Sequence, residues 1–334
     1  MTVKFALLGA GRIGKVHAKA IAGNADAKLV AVADAFAEAA QGIAGTYGCA
    51  VRSIDEIEAA ADVDAVVICT PTNTHADLIE RFARAGKAVF CEKPIDLDLA
   101  RVKRCLSVVE ETGAVLMVGF NRRFDPHFSA VRAAIDEGRI GPVEMVQITS
   151  RDPAPPPADY IKSSGGILRD MTIHDFDMAR FLLGEEPETV FATASVLVDP
   201  EIGKLGDHDS VSLILTTASG KQCAISNSRR ATYGYDQRIE VLGSKGAIAA
   251  ENQRPVSIEI ANETGFTRPP LHDFFMTRYT EAYAAEIAAF IAAISSGAAI
   301  SPSGRDGLIA LALADAALRS VREGRAVKVS EVMG

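Results

Sequence analysis

Asp170 and His174 stand four residues apart in the stretch Ser164-Gly165-Gly166-Ile167-Leu168-Arg169-Asp170-Met171-Thr172-Ile173-His174-Asp175-Phe176-Asp177. The apolar residues Ile167, Met171, Phe176, Met178, Phe181 and Leu182 fit helical spacing better than alternation. On one helix, Asp170 and His174 share a face, and Asp177 falls on it a turn later. A carboxylate one turn from an imidazole orients the ring and stabilises its protonated form, which is what general acid–base catalysis requires. A solvated polar stripe has the same pattern, so the rest of the chain must decide. The second chemical feature is Glu92-Lys93-Pro94. An ammonium at the carboxyl end of a strand can hydrogen-bond a substrate hydroxyl and stabilise alkoxide character as a hydride leaves. Taken alone, Lys93 reads equally as a surface salt-bridging residue. Together, Lys93, Asp170 and His174 supply an electrophilic helper, a base and an orienting carboxylate.

Positioning these groups falls to two kinds of element. Residues 3–8 form an apolar run followed at once by Gly9-Ala10-Gly11-Arg12-Ile13-Gly14 and a helical pattern over 15–22. Strand, glycine turn and helix make a dinucleotide-binding unit. Gly9 permits the tight turn, Gly11 lets a pyrophosphate approach the backbone, and Gly14 lets the helix pack close to the strand. A second run, 29–33, ends at Asp34, where a carboxylate accepts the ribose hydroxyls and repels a 2′-phosphate, favouring NAD over NADP. Runs at 65–69, 88–91 and 115–119 repeat the strand–helix grammar and end in Thr70-Pro71-Thr72-Asn73-Thr74-His75, Glu92-Lys93-Pro94 and Phe120-Asn121-Arg122-Arg123-Phe124. The expectation is an α/β fold, with a Rossmann-type doubly wound parallel sheet over residues 1–122.

Beyond Phe124 the grammar changes. A helix over about 125–137 and a strand over 142–150 precede the proline-rich loop 151–160, and strands are expected at 190–198, 210–217, 221–228, 237–242 and 256–260. Short turns between consecutive strands imply a large antiparallel sheet, so residues 123–334 form an α+β domain for substrate binding and self-association. Helices over 274–294 and 305–322 close the chain.

With 334 residues, 48% of them hydrophobic and 23% charged, the chain has the composition of a globular protein with room for two cores. A net charge of −8 without a dense basic run argues against nucleic acid. Five scattered cysteines, none in a Cys-x-x-Cys pair, fit reduced thiols in a cytoplasm. No signal-peptide or membrane-spanning pattern is expected. Asp170 and His174 at this spacing could ligate zinc, but no further His or Cys lies nearby in sequence, and His17, His127, His208 and His272 show no partner pattern.

The GAGRIG turn, CTPTNTH, CEKP, GFNRRFD and GGILRDMTIHDFDMARFLLG together resemble the glucose–fructose oxidoreductase / inositol dehydrogenase (Gfo/Idh/MocA) family across both domains. GFNRRFD and SRDPAPPPADYI narrow the likeness towards its inositol branch. The resemblance implies NAD-dependent oxidation of myo-inositol to the 2-keto inosose, with His174 as base and Lys93 and Asp170 assisting. It implies a cofactor site of Gly9, Gly11, Arg12, Ile13, Gly14, Asp34, Thr70, Pro71, Asn73, His75, Glu92, Lys93 and Arg122. Substrate contacts would come from Lys93, Arg122, Asp152, Tyr160, Asp170, His174 and Tyr235. A homotetramer is also implied. An uncharged polyol must be selected through buried polar groups that a wrong epimer would leave unpaired. Other readings stay open: Asp152 and Tyr160 as loop anchors, Tyr235 packed in the sheet, and a dehydrogenase of scyllo-inositol or a pyranose. A non-catalytic NAD-binding regulator and a redox-cycling lyase or hydrolase also remain.

Overall fold

The computed structural model describes residues 2–334. Packing divides the chain into two compact units, the first ending at Asp125 and rejoined by Thr280–Leu311, the second comprising Pro126–Tyr279 and Ala312–Gly334. The sequence places one boundary, at 122, whereas by packing residues 280–311 return to the first unit.

The first unit runs β1 (Val3–Leu8), α1 (Arg12–Ala22), β2 (Ala27–Ala33), α2 (Ala37–Tyr47), β3 (Ala50–Val51), α3 (Ile54–Ala59), β4 (Ala65–Ile68), α4 (His75–Arg84), β5 (Ala88–Glu92), α5 (Leu99–Thr112) and β6 (Leu116–Gly119). All its strands pair in parallel, in the order β3-β2-β1-β4-β5-β6. Every residue of β4 and β6 is buried, and every residue of β1 but Lys4. Parallel strands covered on both faces become unbroken apolar runs. The strand order reverses between β1 and β4, and at such a switch point the carboxyl ends of the strands open a ligand crevice. The core joins Phe5, Leu7, Val67 and Phe90 to Ile287 and Phe290. The Phe290 ring stands 6.2 Å from Phe5 and 5.7 Å from Phe90, which explains why a late helix packs here.

The second unit opens with α6 (Pro126–Asp136), β7 (Val143–Arg151), α7 (Ala158–Ser164), α8 (Gly166–Asp170) and α9 (Thr172–Leu183). It continues through β8 (Pro187–Ser195), α10 (Pro200–Lys204), β9 (Ser210–Thr217), β10 (Gln222–Ser228), β11 (Asp236–Gly243), β12 (Gly246–Ala250), β13 (Ile260–Asn262), β14 (Gly265–Thr267) and α11 (Phe275–Arg278). Then come α12 (Thr280–Ser296) of the first unit, α13 (Gly304–Glu323), β15 (Val327–Lys328) and α14 (Ser330–Met333). Seven strands form one sheet, β12-β11-β7-β10-β9-β8-β15, in which only β7 and β10 pair in parallel. α9 lies over β7 and β10. It is buried on almost every residue, so the functional stretch is anchored in this unit's core.

Three expected elements differ. The single helix through Asp170 and His174 is two helices, interrupted at Met171 (φ −94°, ψ −57°). The Thr172 hydroxyl lies 3.2 Å from the Ile167 carbonyl, and the His174 amide donates to Met171 rather than a full turn back. The helix expected over 274–294 is likewise split at Tyr279. Residues 256–259 are not a strand; β13 begins at Ile260 and pairs with β14 in a separate hairpin.

Candidate active site

In the first unit the glycine turn is shaped by sterics. Gly9 has φ +97°, and a Cβ there would stand 2.6 Å from the Cys69 carbonyl oxygen. A Cβ on Gly14 would collide with the carbonyl oxygen of Gly9. Gly11 is different: a Cβ on it would meet nothing within 4 Å. It is also the N-cap of α1, with no side-chain cap and no acidic residue in the first turn. The free amides at Gly11, Arg12 and Ile13 therefore face an open, exposed cradle suited to a pyrophosphate. Asp34 accepts hydrogen bonds from the backbone amides of Ala10 (2.5 Å) and Phe36 (2.7 Å), one to each oxygen. Those bonds aim the carboxylate and leave each oxygen a further lone pair for a ribose hydroxyl. The donor set fits a bound NAD.

Beyond β4, Pro71 and Asn73 are exposed in a single tight turn, and the hydroxyls of Thr70 and Thr74 stand 2.7 Å apart. His75 is buried behind that turn, with Nδ1 2.8 Å from the Pro94 carbonyl and Nε2 2.7 Å from the Thr70 carbonyl. Burial pushes its pKa below the ordinary histidine value, outweighing the two carbonyls that favour the protonated ring. Glu92 ends β5, Lys93 is half-buried, and the Lys93–Pro94 peptide is cis. Arg122 is buried in the turn after β6.

In the second unit, three expected substrate contacts come together around a residue that sequence reasoning missed. Asp170 accepts from the Tyr160 hydroxyl at 2.8 Å on one oxygen and from both terminal nitrogens of Arg229 at 3.2 Å on the other. Asp152 lies 3.6 Å from the same guanidinium. Arg229 is 1% exposed, so one buried cation sits against two partly buried carboxylates. Tyr160 stands on α7 and Asp152 just beyond β7, and both carry polar groups into the cluster around Asp170 and Arg229. His174 is half-buried on the first turn of α9. Beneath it, buried Asp175 accepts from Ser150 (2.6 Å) and Asn227 (2.7 Å), which pins α9 to β7 and β10. Asp177 is buried 3.6 Å from Arg180. Tyr235 is buried in an aromatic cluster, edge-on to Phe274 at 5.5 Å and Tyr279 at 6.0 Å.

His17, which shows no partner pattern in sequence, also has a partner. Its Nε2 is 2.6 Å from Glu92 Oε1, with the ring fully buried. Neither His17 nor Arg229 could be found from local spacing, because their partners lie in other elements far along the chain. Among the described residues, no three His, Cys, Asp or Glu side chains are grouped to hold a metal ion. Nor is any helix long and apolar enough to cross a membrane.

Residues 3–120 match the oxidoreductase family's NAD-binding Rossmann fold, and residues 132–329 match the same family's C-terminal alpha/beta domain. The chain belongs to the Gfo/Idh/MocA oxidoreductase family. It is an oxidoreductase with an NAD-binding domain. It is 78% identical to the inositol 2-dehydrogenase of Rhizobium meliloti (strain 1021), covering 99% of this chain and 100% of that protein. Against the myo-inositol 2-dehydrogenase of Thermotoga maritima the identity is 46%, covering 99% and 100%. Among solved structures, the scyllo-inositol dehydrogenase of Lactobacillus casei with bound NAD(H) and scyllo-inositol superposes with a TM-score of 0.92 at 29% identity. That match covers 99% of this chain and 100% of that one.

Proposed function

We propose that the protein oxidises myo-inositol to the 2-keto inosose with NAD. The reading rests above all on full-length likeness to an inositol 2-dehydrogenase at 78% identity. The polar cluster of Asp152, Tyr160, Asp170 and Arg229 supports it, because a neutral polyol must be read through several oriented acceptors and donors. NAD, when bound, accepts the hydride from the ring carbon. Gly11, Arg12 and Ile13 hold its pyrophosphate through backbone amides, with Gly9 and Gly14 shaping the turn. Asp34 takes a ribose, and Thr70, Pro71, Asn73, Glu92 and Arg122 line the remainder. The His174 imidazole removes the hydroxyl proton, Asp170 orients the substrate and the imidazole, and Lys93 Nζ donates to the same oxygen.

The protein acts as a homo-oligomer, a tetramer in this reading, in a reducing cytoplasm. Support for self-association comes from one face of the seven-stranded sheet. There Phe191 pairs with Ile214, Met145 pairs with Leu242, and all four side chains are exposed. Paired apolar residues on an open sheet face suit a second copy. All five cysteines are free, in keeping with reduced thiols.

A panel of polyols and sugars with NAD, followed at the NADH absorbance band, tests the activity. Fastest turnover with myo-inositol is the expected result. Preference for scyllo-inositol, the ligand of the Lactobacillus casei structure, would move the assignment to that epimer. No NADH with any polyol would discard it.

A further inference from the structure

Two buried histidines flank the turn that carries Lys93, and the proposed chemistry uses neither of them as a reacting group. His17, on α1, donates Nε2–H to Glu92 Oε1 at 2.6 Å, and its ring is held 5.0 Å from Phe90 and edge-on to Tyr283 at 5.4 Å. The Glu92 carboxylate is confined from the other side too: a Cβ on Gly119 would stand 3.1 Å from Oε2. His75, at the start of α4, sits at hydrogen-bond distance from the Pro94 carbonyl with one nitrogen and from the Thr70 carbonyl with the other. The residue before Lys93 and the residue after it are therefore each tied to a buried imidazole. The two imidazoles come from different helices.

Such an arrangement has a physical cost that stability does not explain. A buried histidine–carboxylate pair must offset the desolvation of both groups, and a packed apolar pair of the same volume would hold the fold as well. What the polar version adds is direction. Lysine has a long, flexible stem, so its Nζ reaches a substrate oxygen reproducibly only if the backbone at its root is fixed. A misplacement of about 1 Å at a reacting group costs about 100-fold in rate.

We infer that His17 and His75 are positioning residues, a two-sided clamp that fixes Glu92-Lys93-Pro94 so that Lys93 meets the substrate oxygen. The inference rests on the reading of Lys93 as the group that steadies that oxygen. His17→Leu keeps the ring's apolar contacts and deletes the donor; His17→Gln restores an N–H near the same position. His17→Leu is expected to lower kcat for myo-inositol oxidation by about 10- to 100-fold, and His17→Gln to recover most of the loss. His75→Leu is expected to act in the same direction, with recovery in His75→Asn.

The decisive comparison is made on a Lys93→Met background, with active protein counted by NADH binding. A residue that acts through Lys93 has nothing left to lose there, so His17→Leu/Lys93→Met should turn over no more slowly than Lys93→Met alone. An equal further loss on that background would overturn the clamp, as would His17→Leu and His75→Leu variants with wild-type kcat beside a crippled Lys93→Met. If Lys93→Met itself keeps wild-type kcat, the reading of Lys93 fails and the clamp falls with it. Should His17→Leu not fold, the same cycle is run with His17→Phe, which keeps a ring against Phe90 and Tyr283 and lacks the donor.

Discussion

Gly11→Ala separates the cofactor site from the fold. The Gly11 backbone has φ −70° and ψ −163°, an extended conformation open to any L-residue. A Cβ placed there meets no protein atom within 4 Å. The gain of about 0.4–1 kcal/mol from a less flexible unfolded chain is offset by alanine's poorer fit at an N-cap, so stability should change by less than about 1 kcal/mol. If the pyrophosphate binds the amides at the start of α1 as proposed, the same methyl is expected to hold it away from them. Losing one hydrogen bond to a charged group costs about 1.5–3 kcal/mol, so NAD should bind about 10- to 150-fold more weakly. Urea unfolding without cofactor and NADH fluorescence titration read the two effects separately. Wild-type NADH affinity in Gly11→Ala would refute the placement of the pyrophosphate. A loss of affinity matched by an equal loss of stability would refute the claim that the cradle is empty of protein. Gly14→Ala is the contrasting case, since its Cβ collides with the Gly9 carbonyl and must damage both.

Replacing Arg229 with Leu leaves Asp152 and Asp170 facing each other without their buried cation, and should cost about 3–5 kcal/mol of stability by urea titration. Adding Asp170→Asn should return part of it, and a loss below about 1 kcal/mol would contradict the pairing. His75, with its pKa depressed by burial, contributes stability that is present above the unfolded-chain value of about 6.5 and is lost as pH falls through the native value. The urea midpoint should drop on acidification from about pH 7 to pH 5, and drop less in His75→Asn. Burial pushes the Cys69, Cys91 and Cys223 thiols well up and Cys105 up to about 12, while Cys49 is only half-buried. A thiol-reactive chromophore should label Cys49 first, and the other four only on unfolding.

The strand–helix grammar of the first unit was legible because its parallel strands are buried on both faces and read as short apolar runs. The glycine turn was legible because its constraints are local. Departures arise where distant partners decide. The break at Met171 goes with a Thr172 side chain that engages Ile167 and Asn227 in place of uninterrupted helix, and helical spacing cannot report that. The parallel pairing of β7 with β10 joins strands separated by every element from α7 to β9. The return of residues 280–311 to the first unit follows from Ile287 and Phe290 entering its core. His17 with Glu92, and Arg229 with Asp170, are polar contacts of a buried side chain with a partner remote in sequence. In the candidate site the residue types were readable, and the cations and imidazoles that orient them were not.

The central proposal is that Lys93 and His174 both serve the oxidation of one substrate hydroxyl. A double-mutant cycle on kcat/KM for myo-inositol, using Lys93→Met, His174→Asn and the pair, tests it most directly. Each single variant should lose about 100- to 1,000-fold, and the pair little more than the worse single. Losses that multiply, or a single variant with wild-type kcat/KM, would contradict the account.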